Sequence, residues 1–155
     1  MKKLFIALII FSNMLFSEEL KNLGIIKNIK EIQEIIPVPN EDSVIFSTYK
    51  KEIKLYNLAN KTIDKSINLE NLFSSFLISN DKKYIIGMYG YKYIDVIDFN
   101  SGLTEYTIET PFNIRKIVLS KDNKNIIVLS SDYDRKVNIY NTNDGKLVDE
   151  IKVDS

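Results

Sequence analysis

The chain of 155 residues contains no cysteine, no histidine and no tryptophan. Without cysteine it forms no disulfide and offers no thiolate to a metal. A chain bound for an oxidising compartment then carries nothing that could mispair. Without histidine it lacks the commonest general base, the commonest metal ligand and the usual haem ligand. Ser120, Ser130 and Ser131 have no histidine partner and no Gly-x-Ser-x-Gly setting, so nucleophilic catalysis has no support. Excess charge is missing too: 21 basic residues face 21 acidic ones. That gives no electrostatic case for nucleic acid or for an anionic membrane surface. No catalytic residue, cofactor or metal ligand set is expected. The one close acidic pair beside a loop, Asp132 and Asp134, falls far short of the six to eight oxygens that calcium takes, and Arg135 and Lys136 are its natural partners.

Long apolar runs are also scarce. The exception is Leu4 to Phe16, after Met1-Lys2-Lys3 and before the small Ser17 and the pair Glu18-Glu19. A basic start, a short apolar stretch and a small residue are the grammar of a secretory signal peptide. The stretch is too short for a membrane span, which needs about 20 residues. We expect residues 1–17 to be a signal peptide cleaved after Ser17, with no membrane span afterwards and the product exported to the periplasm or cell exterior. Cleavage removes Lys2 and Lys3, leaving 19 basic against 21 acidic residues.

What is present is a repeated phrase. Ser120-Lys121-Asp122-Asn123-Lys124 precedes the apolar run Ile126-Ile127-Val128-Leu129; then come Val137-Asn138-Ile139-Tyr140-Asn141 and Asn143-Asp144-Gly145. A middle copy runs from Ser79-Asn80-Asp81-Lys82-Lys83 through Tyr84 to Met88, then Ile94 to Asp98 and Ser101-Gly102. A first copy sets Pro39 to Ser43 before Val44 to Ser47, then Ile53 to Asn57, with Asn60-Lys61 where the others have glycine. Ser79 to Ser120 and Ile53 to Ile94 are both 41 residues, and Gly102 to Gly145 is 43. Several short strands in a period of this length predict one four-stranded propeller blade per repeat. The run Ile126 to Leu129 reads as a strand buried on both faces, and Val137 to Asn141 alternates as a half-buried strand does.

The pattern Ser-x-Asp-x-Lys-x-Ile-Ile, an apolar-x-apolar strand ending in Asn or Asp, and Asn-x-Gly resembles the YVTN/WD40-like propeller repeats of exported bacterial proteins. The resemblance covers about Ile32 to Val153. It lacks the Trp-Asp and Gly-His pairs of regulatory WD40 repeats. It implies an all-β fold: residues 18–155 as a partial β-propeller of about three four-stranded antiparallel blades, at about 32–69, 72–110 and 113–153. Ile32 to Val38 would be the innermost strand of the first blade, and Gly24 to Ile29 a separate strand before it.

In such a fold the loops between second and third strands share one rim. Tyr49, Tyr91 and Tyr133 lie 42 residues apart in those loops. With Lys50, Lys92, Asp134 and Arg135 they form a candidate binding rim, since tyrosine brings apolar area and a polar tip. The alternative is ordinary packing of loop-edge aromatics. Three blades leave a blade face open at each end, so self-association is a further expectation. The reading is an exported, non-catalytic binding or scaffolding module with a protein or glycan partner. The alternative is the N-terminal part of a larger propeller enzyme, a lyase or hydrolase, whose active site lies outside this chain.

Overall fold

The computed structural model describes residues 32–131 and 134–152. The expected signal peptide and the expected strand Gly24 to Ile29 lie outside the described residues. Among the described residues, twelve strands form three separate antiparallel sheets of four. Blade 1 holds β1 (Ile32–Pro37), β2 (Ser43–Thr48), β3 (Glu52–Asn57) and β4 (Thr62–Asn68). Blade 2 holds β5 (Ser75–Ile78), β6 (Tyr84–Tyr89), β7 (Tyr93–Asp98) and β8 (Thr104–Glu109). Blade 3 holds β9 (Ile114–Leu119), β10 (Asn125–Ser130), β11 (Lys136–Asn141) and β12 (Leu147–Lys152). Within each sheet the strands follow chain order.

The repeats are equivalent down to single hydrogen bonds. Val38, Ser79 and Ser120 each donate a backbone N–H to the residue five positions on, at 3.0, 2.9 and 2.9 Å. A bulge recurs where the third strand meets the fourth, at Leu55/Tyr56, Val96/Ile97 and Ile139/Tyr140. These bonds align Val38, not Pro39, with Ser79 and Ser120, a shift of one residue from the sequence alignment of the first copy. The three turns span the same number of residues, but the turn after β1 carries its left-handed residue at Asn40, whereas the later turns carry it at Lys82 and Asn123.

The Ser-x-Asp phrase is a turn lock. Ser79 Oγ donates to Asp81 Oδ1 at 2.6 Å and accepts from Tyr84 N at 2.9 Å, while Lys83 N donates to Asp81 Oδ1 at 3.1 Å. Ser120 and Asp122 repeat this with Asn125 N and Lys124 N. The serine hydroxyl first, and then the backbone N–H, hold Asp81 and Asp122 below the usual carboxylate range. A carboxyl depressed in the fold contributes stability that is present above its unfolded pKa, about 3.9, and is lost as pH falls through the lower folded value. Glu34 opposes this, because burial raises it and its contribution fades as pH rises instead. We expect the urea midpoint to drop below about pH 4, and the drop to be shallower in Asp81→Asn/Asp122→Asn. An equally steep drop in that variant would refute the assignment.

Two apolar seams join the blades. The first packs Ile45 and Ile53 of blade 1 against Phe76, Ile85 and Ile97 of blade 2 and Phe73 of the linker between them. The second packs Tyr84, Ile86, Ile94 and Val96 of blade 2 against Ile114, Ile117, Ile126, Val128 and Tyr140 of blade 3. Strands β6 and β7 alternate, one residue to each seam, so the continuous apolar run Tyr84-Ile85-Ile86 is buried on both sides. Each fully buried aliphatic side chain contributes about 1.5–3 kcal/mol. In β10 the expectation of two buried faces holds only in part: Ile126 and Val128 are buried, Ile127 and Leu129 half-buried. Strand β11 reverses its expected facing. Its polar Asn138 and Tyr140 are buried towards blade 2, and Val137 and Ile139 are the half-buried pair.

The glycine difference between copies has a packing cause. Gly102 and Gly145 have φ of 73° and 68°, and Lys61 at the equivalent turn has φ of 58°. A Cβ on Gly102 would lie 3.0 Å from Ile67 Cγ2 of the preceding blade, and one on Gly145 would lie 2.7 Å from Tyr106 Cε2. Left-handed backbone alone is tolerated at Lys61, but the later turns also press against a neighbouring blade.

Candidate functional site

The rim loops follow β2, β6 and β10. Thr48 pairs with Glu52 and Tyr89 with Tyr93, so each of the first two loops has three residues. Left-handed backbone at Lys51 (φ 59°), Gly90 and Tyr91 (φ 55° and 65°) and Arg135 (φ 47°) closes the loops tightly. Each loop is tied down from below. Leu69 N donates to Lys51 O at 2.7 Å, Thr110 N to Lys92 O at 2.9 Å, and Ile114 N of the next blade to Tyr91 O at 2.6 Å. Ser131 N donates to Asn113 O at 2.7 Å. These bonds hold the backbone and leave the side chains outward.

Tyr49 is 57% exposed and Tyr91 78%. Lys50, Lys92, Asp134 and Arg135 are exposed beside them. Tyr133 lies outside the described residues. The register set by strand pairing places Tyr49 level with Gly90 and Lys50 level with Tyr91, so the 42-residue tyrosine spacing overshoots the 41-residue structural period by one position. The two described tyrosines occupy the same rim without being equivalent.

Beneath the rim the aromatics have a different job. Phe73 stacks on Tyr89, with centroids 6.3 Å apart, and Tyr89 on Tyr93 at 5.4 Å. Gly87 makes the stack possible, because a Cβ there would fall inside the Phe73 ring. Burial, and then the nearby Asp95 carboxylate, raise the Tyr89 hydroxyl above its ordinary value. Asp95, which is 3% exposed, accepts from Asn71 Nδ2 at 3.0 Å and Thr107 Oγ1 at 2.6 Å. Sequence reasoning missed this acid. Its only signal is a charge where a strand should face a neighbour: Lys54 and Asn138 occupy the same position in the other blades. Since both Asp95 oxygens are occupied by neutral donors, it braces the seam and faces no open space.

No group of three or more acidic side chains suited to a metal occurs among the described residues. A shallow polar groove lies between Lys65 to Asn68 and Asn100 to Gly102. It is spanned by Lys65 Nζ, which donates to Asn100 O at 2.8 Å and sits 5.2 Å from the Phe99 ring centre. Among the described residues no helix is long and apolar enough to cross a membrane.

No protein-family model matches the chain, and no curated protein does. Solved structures do match. The structure of U3-55K and the WD40 repeats of RRP9 each superpose with a TM-score of 0.64 at 15% identity, over 79% of this chain and 39% of theirs. That likeness is one of fold: three four-stranded antiparallel blades of a WD40-like propeller. The chain spans about two fifths of the length of the structures it matches.

Proposed function

We propose that this WD40-like, three-bladed chain is an exported, non-catalytic binding module that takes a protein or glycan partner on its loop rim. One observation carries the reading. Tyr49 and Tyr91 are large aromatics that the fold leaves in solvent, beside Lys50 and Lys92, on loops whose backbones are pinned. Tyr89 and Tyr93, a few residues away, are consumed by stacking. Rigid exposed tyrosines next to charges form contact surfaces at low entropic cost. Asp134 and Arg135, exposed in the corresponding loop, extend the rim to the third blade. The expectation of export rests on residues 1–17 and places the module in the periplasm or outside the cell. N-terminal sequencing of the secreted chain beginning at Glu18 would support it, and retention of Met1 would overturn it.

The binding test is a peptide and glycan array probed with wild type and with Tyr49→Ser/Tyr91→Ser. The variant should melt within about 0.5 kcal/mol of wild type per site, as exposed positions do, and lose the wild-type signals. Unchanged binding would overturn the rim assignment, and a collapse of stability would show that the tyrosines pack.

A second reading draws on the two-fifths span of the matched structures: the chain is one part of a larger propeller enzyme, a lyase or hydrolase, whose active site lies in other blades. Further repeats bearing histidine or a metal-ligand cluster in the reading frame after Ser155 would favour it.

A further inference from the structure

We propose that the outward face of blade 3 is a self-association surface, which takes the same face of a second copy about a two-fold axis running along the strands. The inference rests on the fold alone and is independent of the tyrosine rim.

Strand register defines this face. One row across it is Val118, Ile127, Ile139 and Asp149; the next is Lys116, Leu129, Val137 and Ile151. The equivalent residues in blade 2 include Ile86, Ile94 and Val96, all 0% exposed in the seam with blade 3. On blade 3, Val118 is 44% and Ile151 47% exposed, and Ile127, Leu129, Val137 and Ile139 are half-buried. Continuity with the two seams says that a sheet belongs here.

The edge residues say which sheet. Along the inner edge of blade 1, Glu34 accepts from Ser75 Oγ at 3.0 Å and from Phe76 N at 2.9 Å of the following blade. At the outer edge, Lys65 and Tyr106 donate to backbone carbonyls of the following blade, Asn100 O and Thr142 O. Blade 3 inverts both clamps. Lys116, a donor, stands at the Glu34 position, and Asp149, an acceptor, at the position of Lys65 and Tyr106. A lysine cannot accept from an incoming strand N–H, and an aspartate cannot donate to an incoming carbonyl. Blade 2 receives blade 3 with Ser75 at the inner position, so the outer donor is the clamp common to both seams, and blade 3 has an acceptor in its place.

The same inversion makes the face complementary to itself. The two-fold axis lays β9 of one copy over β12 of the other and Ile127 over Ile139. It brings each Lys116 to the edge that carries the other copy's Asp149, offset by one row of about 7 Å along the strand, within a lysine's reach. Such an isologous contact closes on itself and does not grow into a fibre.

Sedimentation and light scattering over a concentration series test the proposal. Wild type should reach twice the chain mass. Val118→Lys/Ile151→Lys, at exposed positions, should be monomeric with an unchanged melting curve at high dilution. Lys116→Asp should weaken the dimer about tenfold, and Lys116→Asp/Asp149→Lys should restore it. A wild-type monomer at every concentration would overturn the proposal and leave the face to another polypeptide. A dimer indifferent to these variants would overturn it as well, by locating the contact elsewhere.

Discussion

Gly87→Val lowers the unfolding free energy by about 3 kcal/mol, at the upper end of what over-packing a filled core costs. Gly87 lies in β6 on the side facing blade 1, and any Cβ there enters the Phe73 ring. Phe73 is itself 1% exposed and stacked on Tyr89, so it has nowhere to retreat. Gly87 is not among the left-handed glycines, so the cost is one of space and not of backbone conformation. A double-mutant cycle separates the two. In Phe73→Ala the same Gly87→Val change should cost well under half as much, giving a coupling of about 1–3 kcal/mol. Urea denaturation reads both numbers. Strict additivity would mean that Phe73 is not the obstacle.

Ile86→Ala and Ile127→Ala compare one repeat position in two settings. Ile86 is 0% exposed in the seam between blades 2 and 3. Ile127 has the same place in blade 3, where its face is half-open. Truncating Ile86 should cost about 3–4 kcal/mol, since the lost methyl groups leave a cavity between two sheets. Truncating Ile127 should cost about 1 kcal/mol or less, with the measurement made at high dilution. Equal losses would mean that blade 3 is sealed on its far side and that the open-face description is wrong.

The repeat was legible because it is written in turn chemistry as much as in hydrophobicity. Ser-x-Asp before a strand and Asn or Asp at the end of one are short-range devices, and their hydrogen bonds are made within five residues. The blade count and strand order follow directly from them. Facing was less legible. Asn138 reads as a solvent-side residue by alternation, yet it is 1% exposed, because in a stack of sheets both sides of a strand have neighbours and polarity no longer marks the outside. Alignment failed by one residue at Pro39 and at Tyr49, where the equivalent turns have the same length but the matching residue types, Asn40 with Asn80 and Tyr49 with Tyr91, stand one position out of step. The partners of Gly87 and Asp95 were invisible for a simpler reason. Phe73 and Asn71 sit in the linker between blades, which has no pattern of its own.

The two apolar seams give the molecule no single centre. Blade 2 contributes to both, through alternate residues of the same two strands, while blades 1 and 3 touch one seam each. Cooperativity therefore runs through β6 and β7, as it does in linear arrays of stacked units. A substitution at Ile85 reports to one end of the chain and one at Ile86 to the other. Loss of either terminal blade would leave its neighbour bare on that side but still anchored on the other, so the molecule has the means to come apart in stages, from its ends inward.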